Sequence, residues 1–373
     1  DPSQLAGKWG NQTRPDGTLV QFKSEFKLSQ ANYFFQSFCG AWYEQANQYG
    51  EGMGFADDVW LTAEEWEIGR MFPAGSSDSA ATLGLASIVV DIANETAYTA
   101  PALGQTGYEK LMPINPGHKD YVVIVAAGYN HGQEPAPNRI YVGMKNRAAD
   151  GSQINYATAS DRDAFLARNG LLYGKIYGLA LRPETYETLG LKIALDAKMV
   201  DDYMKNADAP NRFEGRFYPT SYQWAGFDRP VAVQDTEMML WEQKDEQPEG
   251  YVFFNGDTKT EHPAVDPSGA PRYFQNMTDE GGLMGFDLGD LGKALAAANG
   301  DLPTHLDVSV VRSVAAVDGA LTLNIGDQFK TVGGDASIHM EEGVAKMVAP
   351  DGLYWSKTAD GDYLIVDEDS GND

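Results

Sequence analysis

The residue types with the most chemical reach are one thiol and a set of carboxylates. Cys39 is the one cysteine of the chain and stands in Ser37-Phe38-Cys39-Gly40-Ala41-Trp42. A Gly-rich stretch follows, then Val59-Trp60-Leu61-Thr62-Ala63-Glu64-Glu65-Trp66. Two adjacent carboxylates after an apolar strand place at least one of them at a strand end, where it could aim at a metal together with a thiolate. The same residues admit plainer readings. Cys39 fits a buried, inert thiol beside aromatics, and Thr62-Ala63-Glu64-Glu65 fits a capping box that opens a helix. Further carboxylates alternate in Asp367-x-Asp369-x-Gly371-x-Asp373, and Asn255-Gly256-Asp257 and Thr278-Asp279-Glu280-Gly281-Gly282 are similar. Hard cations such as calcium need several oxygen ligands, so these loops are calcium candidates; each alone is also an ordinary turn, and none has the EF-hand layout.

Other chemistries are excluded by their missing signatures. There is no Walker-type phosphate loop, no Gly-x-Ser-x-Gly elbow and no His-Glu-x-x-His. His118, His131, His262, His305 and His339 lack zinc-finger spacing, and each reads as structural. One cysteine allows no internal disulfide. Fifty-four acidic against 28 basic residues leave a net charge of -26, which repels nucleic acid and anionic membranes. That acidity fits a solvated surface as well as cation-holding loops. The most apolar run, Tyr121 to Ala127, is strand-sized, so no membrane span is expected. The chain begins at Asp1 and reads as a processed form, expected to be secreted, periplasmic or at the cell surface. Three sequons, at Asn11, Asn94 and Asn276, would permit glycosylation in a eukaryotic source.

These residues need a frame, and the frame is expected to be all-β. Short runs of β-branched and aromatic residues end in Gly, Asp, Asn or Pro clusters: Ser87 to Ile92, Tyr121 to Ala127, Arg139 to Gly143, Leu171 to Leu181, Met238 to Glu242, Tyr251 to Asn255, Leu306 to Val311, Ala320 to Ile325 and Tyr363 to Val366. Helical patterns cover Asp161 to Arg168, Leu191 to Asn206 and Leu288 to Ala298, and read as insertions. So many strands in one chain favour a propeller or a large barrel, and a β-propeller of roughly six blades suits the length. The whole chain, 1 to 373, is expected to form one propeller domain. Glu342-Gly343-Val344 before Ala349-Pro350-Asp351-Gly352-Leu353-Tyr354-Trp355 and Gly361-Asp362-Tyr363-Leu364-Ile365-Val366-Asp367 reads as two hairpin steps of a blade, with Glu342 toward a central channel. Pro350-Asp351-Gly352 is equally a plain turn. The acidic ending straight after a strand suggests a natural sequence that continues further.

The Cys39 and Glu64-Glu65 phrases resemble the PhoX-like alkaline phosphatases, where Cys-Ala-Gly-Gly is followed by Trp-Gly-Thr-Trp-Leu-Thr-Cys-Glu-Glu. Phe227-Asp228-Arg229-Pro230 is similar to that family's Arg-Pro-Glu-Asp, Ala349 to Leu353 to its Ser-Pro-Asp-Gly turn, and Asp367 to Asp373 to a late acidic loop. The resemblance implies a propeller with iron and calcium at its mouth, Cys39 as the iron-binding cysteine and Glu64 and Glu65 as the paired glutamates. This chain departs from the pattern at Val231-Ala232, which replace a Glu and an Asp, with acidic residues returning at Asp235 and Glu237. It departs again at His118-Lys119-Asp120, where the family shows His-Glu, and in the longer segment between Cys39 and Glu64.

Three functions follow. The first is an extracellular hydrolase of small phosphate esters. Its metals are held by Cys39, Glu64, Glu65, Asp235, Glu342, Asp351, Asp367 and Asp369, and the fork of Arg229 contacts the phosphoryl group. The second is a non-catalytic calcium-binding propeller that acts, with self-assembly, as a surface, matrix or filament protein. The third is a lactonase-like propeller with one calcium at Glu342, which needs no Cys39.

Overall fold

The computed structural model describes residues 32–33, 38–65, 82–83, 87–104, 107–128, 138–193, 197–206, 208–220, 247–254, 259–278, 282–312, 314–315, 321–322, 350–359 and 361–368. The chain is all-β with a few helical insertions, as its strand spacing implies. The first strands are β1 (Asn32–Tyr33), β2 (Phe38–Glu44), β3 (Val59–Glu64), β4 (Thr82–Leu83), β5 (Ser87–Asp91) and β6 (Thr96–Thr99). Of these, β2-β3-β5-β6 form a four-stranded antiparallel meander with the make-up of a propeller blade. The expected helix start at Thr62 is absent: residues 59–64 are strand, and the Thr62 hydroxyl donates instead to the Gly40 carbonyl at 2.7 Å.

A larger sheet follows: β7 (Tyr108–Ile114), β8 (Tyr121–Gly128), β9 (Arg139–Met144), β10 (Gly174–Leu181), β11 (Arg212–Pro219), β12 (Val252–Phe253), β13 (Thr260–Val265), β14 (Arg272–Met277), β15 (Gly282–Asp287) and β16 (Leu306–Arg312). Its ten strands run in the order β13-β14-β15-β16-β11-β10-β9-β8-β7, with β12 on the side of β10. The sheet bends until its ends approach, so that β13 packs against β7 and β8 and the Gly128 amide donates to the Thr260 hydroxyl at 2.9 Å. Right-handed twist accumulated over many strands is what brings such ends together. The closure is incomplete, because side chains and not a backbone ladder join β13 to β7 and β8.

Alternation along the strands explains the two faces. Val123, Val125, Ile140, Val142, Tyr177, Leu179, Phe217, Tyr273, Phe286 and Val310 point to the inner core. Val122, Ile124, Ala126 and Ile176 point outward and meet Val59, Leu61 and Val89 of the small sheet. Every residue of β8 is therefore buried, which is why it reads as an unbroken apolar run. On the other side Phe274, Leu283 and Val311 are covered by Leu353 and Trp355 of the hairpin β19 (Pro350–Thr358) and β20 (Gly361–Glu368). Two short strands, β17 (Val314–Ala315) and β18 (Leu321–Thr322), lie between β16 and that hairpin in sequence.

The helices are local. α1 (Asp161–Arg168) matches its expected span, capped by the Ser160 hydroxyl accepting from the Asp163 amide. The helix expected from Leu191 to Asn206 corresponds to α3 (Ala197–Lys205), while α2 (Pro183–Thr188), which the sequence reading did not anticipate, precedes that span and stops before Gly190, whose φ of +73° breaks the helical path. α4 (Leu291–Ala297) begins three residues later than its apolar spacing suggested, because Asp290 caps it.

The carbonyls at the end of α3 and just beyond it are gathered by Arg312. Its guanidinium is fully buried and donates to Asn206 at 2.6 Å, Ala209 at 2.8 Å and Met204 at 3.2 Å, over the ring of Tyr203. Arg312→Ala leaves these acceptors without a donor, and we expect a loss of about 2 kcal/mol in the urea unfolding free energy. The sequon at Asn276 is closed to modification, since that side chain is fully buried.

Candidate metal centre at the seam of the sheet

Four ladders among the described residues carry a register shift, and each shift falls on the same region of the molecule. In β2, Cys39 and Gly40 stand opposite Ala63 alone. In β7, Glu109 is an extra residue between Tyr108 and Lys110, whose partners Gly128 and Ala127 are adjacent. In β13, Glu261 and His262 stand opposite Asn276, and in β19, Asp351 and Gly352 stand opposite Asp367. A bulge turns side chains out of the ordinary alternation and concentrates at functional sites. Here the bulges bring together polar residues that a regular sheet would send to different faces.

The innermost group is Cys39, Glu65 and Glu109, whose ligand atoms all lie within 4.8 Å of one another. The Cys39 thiol is exposed, which overturns its reading as a buried inert residue, and it donates to Glu65 Oε2 at 2.5 Å. Glu65, just past β3, is 5% exposed, Glu109 3% and Glu261 2%. Three buried carboxylates require compensation. Part of it comes from Lys259, immediately before β13, whose Nζ lies 3.4 Å from Glu109 Oε1 and 3.6 Å from Glu65 Oε1 and is closest to Glu261 Oε1. The rest comes from protons. Burial, the hydrogen bond to Glu65 and the charges of Glu261 and Glu65 push Glu109 up to about 11. Burial also raises Glu261 to about 7, against the pull of Lys259.

Close approach of β2 to β7 makes this grouping possible. A Cβ on Gly40 would stand 1.6 Å from the Glu109 carbonyl oxygen, so only a glycine lets Cys39 reach its partners. Beside the group lies a second set. His262 Nδ1 is 3.7 Å from Asp351 Oδ1, and its pKa is lowered by burial and by the charge of Lys110. Lys110 lies over the Trp42 ring at 5.4 Å and is itself lowered by burial, with Asp351 opposing. Asp367 faces Gly352 across the hairpin, its charge also acting on His262. Asn276 and Thr278 pin the start of β19 by donating to the carbonyls of Asp351 and Pro350, the second at 2.7 Å.

Of the residues expected from sequence, Cys39 and Glu65 converge at the centre and Asp351 and Asp367 at its side. Glu64 is the last residue of β3, paired in the ladder with Phe38. Arg229, Asp235, Glu342 and Asp369 lie outside the described residues, as do Asn255 to Asp257 and the loop at 279–281. Glu109, Lys110, Lys259 and Glu261 were not anticipated, and His262 was read as structural. Their signal was charge inside strand-like runs, in Tyr108-Glu109-Lys110-Leu111 and Lys259-Thr260-Glu261-His262. His118 and Asp120 sit in the turn between β7 and β8, at the far end of that hairpin from Glu109.

As a donor set, one sulfur with two carboxylates suits a borderline transition ion such as iron better than calcium, which takes oxygen ligands in larger number. The acidic cluster thus has the composition and spacing to hold a metal.

No protein-family model and no curated protein matches the chain. Among solved structures the chain is similar to Pseudomonas fluorescens PhoX in complex with vanadate, a transition-state analogue. The two are 13% identical with a TM-score of 0.42, and the match covers 84% of this chain and 54% of that one. The chain thus spans about half the length of that structure's chain. The likeness is distant and says nothing of activity.

Proposed function

We propose that this chain is a metal-dependent hydrolase of small phosphate esters, with an iron-type ion held by Cys39, Glu65 and Glu109. One observation carries the reading: separate bulges on β2 and β7 bring a thiol and a buried carboxyl to Glu65, within ligand distance of one another. An ion bound there would neutralise phosphoryl oxygens and polarise the attacking water. The chain's own groups suit an anionic substrate. Lys110 offers an ammonium at the edge of the cluster. His262, held near Asp351, is a proton carrier whose pKa is depressed by burial, so that it is neutral and able to accept a proton near neutral pH. Arg229 keeps its assignment as a phosphoryl contact on the strength of the sequence resemblance.

The test is metal content and cleavage of p-nitrophenyl phosphate in the purified protein and in Cys39→Ala. The substitution removes a direct ligand, so metal affinity should fall more than about 100-fold and turnover with it. A protein that carries no transition metal and cleaves no phosphate ester refutes the proposal. A second reading draws on Lys259, which already pairs with three carboxylates. On it the cluster is a metal-free tie across the seam of a non-catalytic binding protein, and chelators leave its melting temperature unchanged.

A further inference from the structure

The cluster has two ends, and they are differently filled. At one end Cys39 meets Glu65 Oε2; at the other Lys259 meets Glu65 Oε1, Glu109 Oε1 and, most closely, Glu261. Glu65 therefore spends one oxygen on each end, as a carboxylate does when it bridges two cations. Glu261 belongs to the Lys259 end alone, since the mutually close set comprises only Cys39, Glu65 and Glu109. The lysine is built in: its carbonyl accepts from the Thr278 amide at 3.1 Å, and its side chain is only 14% exposed.

Building on the metal-binding reading above, we propose that Lys259 occupies the second cation position of a two-cation site, so that the cluster takes a single metal ion, at its Cys39 end. Charge counting supports this. With the thiol ionised and the carboxyls stripped of their protons, as ligation requires, the cluster holds four anionic groups; one divalent ion offsets two of these charges and the Lys259 ammonium a third. A second divalent ion would have to displace an ammonium that already pairs with three carboxylates, at the energetic disadvantage of parting it from them in a buried site. Lys259 is thus a positioning residue that holds Glu65 and Glu109 toward the ion and sets the metal count.

The experiment compares the full chain with Lys259→Ala. Cobalt(II) titration, read by the thiolate-to-cobalt absorption, should saturate at one ion in the wild type. In chelator, Lys259→Ala should melt about 5 °C lower. Divalent cation should restore that loss, and elemental analysis should then find one ion more than in the wild type; ethylammonium should restore part of it with no metal present. Equal metal counts in the two proteins, or a melting loss that no cation recovers, overturn the proposal. If Lys259→Ala does not fold, the wild type decides: two ions at the Cys39 cluster overturn the proposal, and one supports it. A wild type without a cobalt band refutes the metal-binding reading. Ethylammonium rescue of Lys259→Ala would still support Lys259 as the filler of a cation position, so the two failures are distinguishable.

Discussion

Gly40→Ala will abolish metal binding and destabilise the protein by at least about 4 kcal/mol, the largest effect expected of a single methyl group here. The new Cβ would fall 1.6 Å from the Glu109 carbonyl oxygen and 2.7 Å from its carbon. Both atoms are backbone, so no rotamer change relieves the overlap, and β2 must move away from β7. That movement breaks the Thr62 bond to the Gly40 carbonyl and carries Cys39 away from Glu109. Urea unfolding measures the stability loss and cobalt absorption the loss of the site. A Gly40→Ala protein with wild-type stability and a full cobalt band would show that β2 and β7 are not held in this contact.

The second large effect is a pair of opposite pH slopes. Glu109 and Glu261 have folded-state pKa values of about 11 and about 7, both above the 4.5 of a free glutamate. Each therefore holds a proton in the folded protein that the unfolded chain releases. Their contribution to stability is complete below about pH 4.5, and it is lost as pH rises through about 7 for Glu261 and on toward about 11 for Glu109. The metal-free protein should therefore lose stability steadily as pH rises from about 5 to about 9. His262 acts in the other direction: its lowered pKa removes stability as pH falls below 6.5, so the metal-free optimum is mildly acidic. Metal reverses the slope, because ligation needs the thiolate and the carboxylates without their protons. Melting curves across this range in chelator and in excess cobalt should therefore diverge as pH rises. Parallel curves would separate the cluster from metal binding.

The fold was largely legible in the sequence, because burial on one or both faces of a strand imposes a pattern that composition reveals. β8 reads as an apolar run, since the small sheet covers one face and the inner core the other. α1 reads from its period. The strands at Arg272 and Gly282 were missed because Gln275, Asn276 and the glycines interrupt their apolar character. At the site, Cys39 and Glu65 were legible as rare or paired residue types. Glu109 and Glu261 were not, for a physical reason: a bulge has no composition of its own, and only the ladder's partner residues reveal the extra one. The acidic residues of the tail at 369–373 drew attention by number, whereas the buried carboxylates stand alone in their strands.

The bulges also bear on how such a site arises and disappears. Deleting one residue within a strand normally turns every later side chain to the wrong face. In β7, however, Glu109 is the surplus residue, and Tyr108 and Leu111 reach the same core because of it. Removing Glu109 would restore a regular ladder there and leave the flanking residues to be reseated over a single pleat. The polar cluster is thus separable from the barrel around it, gained or lost by one-codon insertions and deletions that ordinary strands do not tolerate.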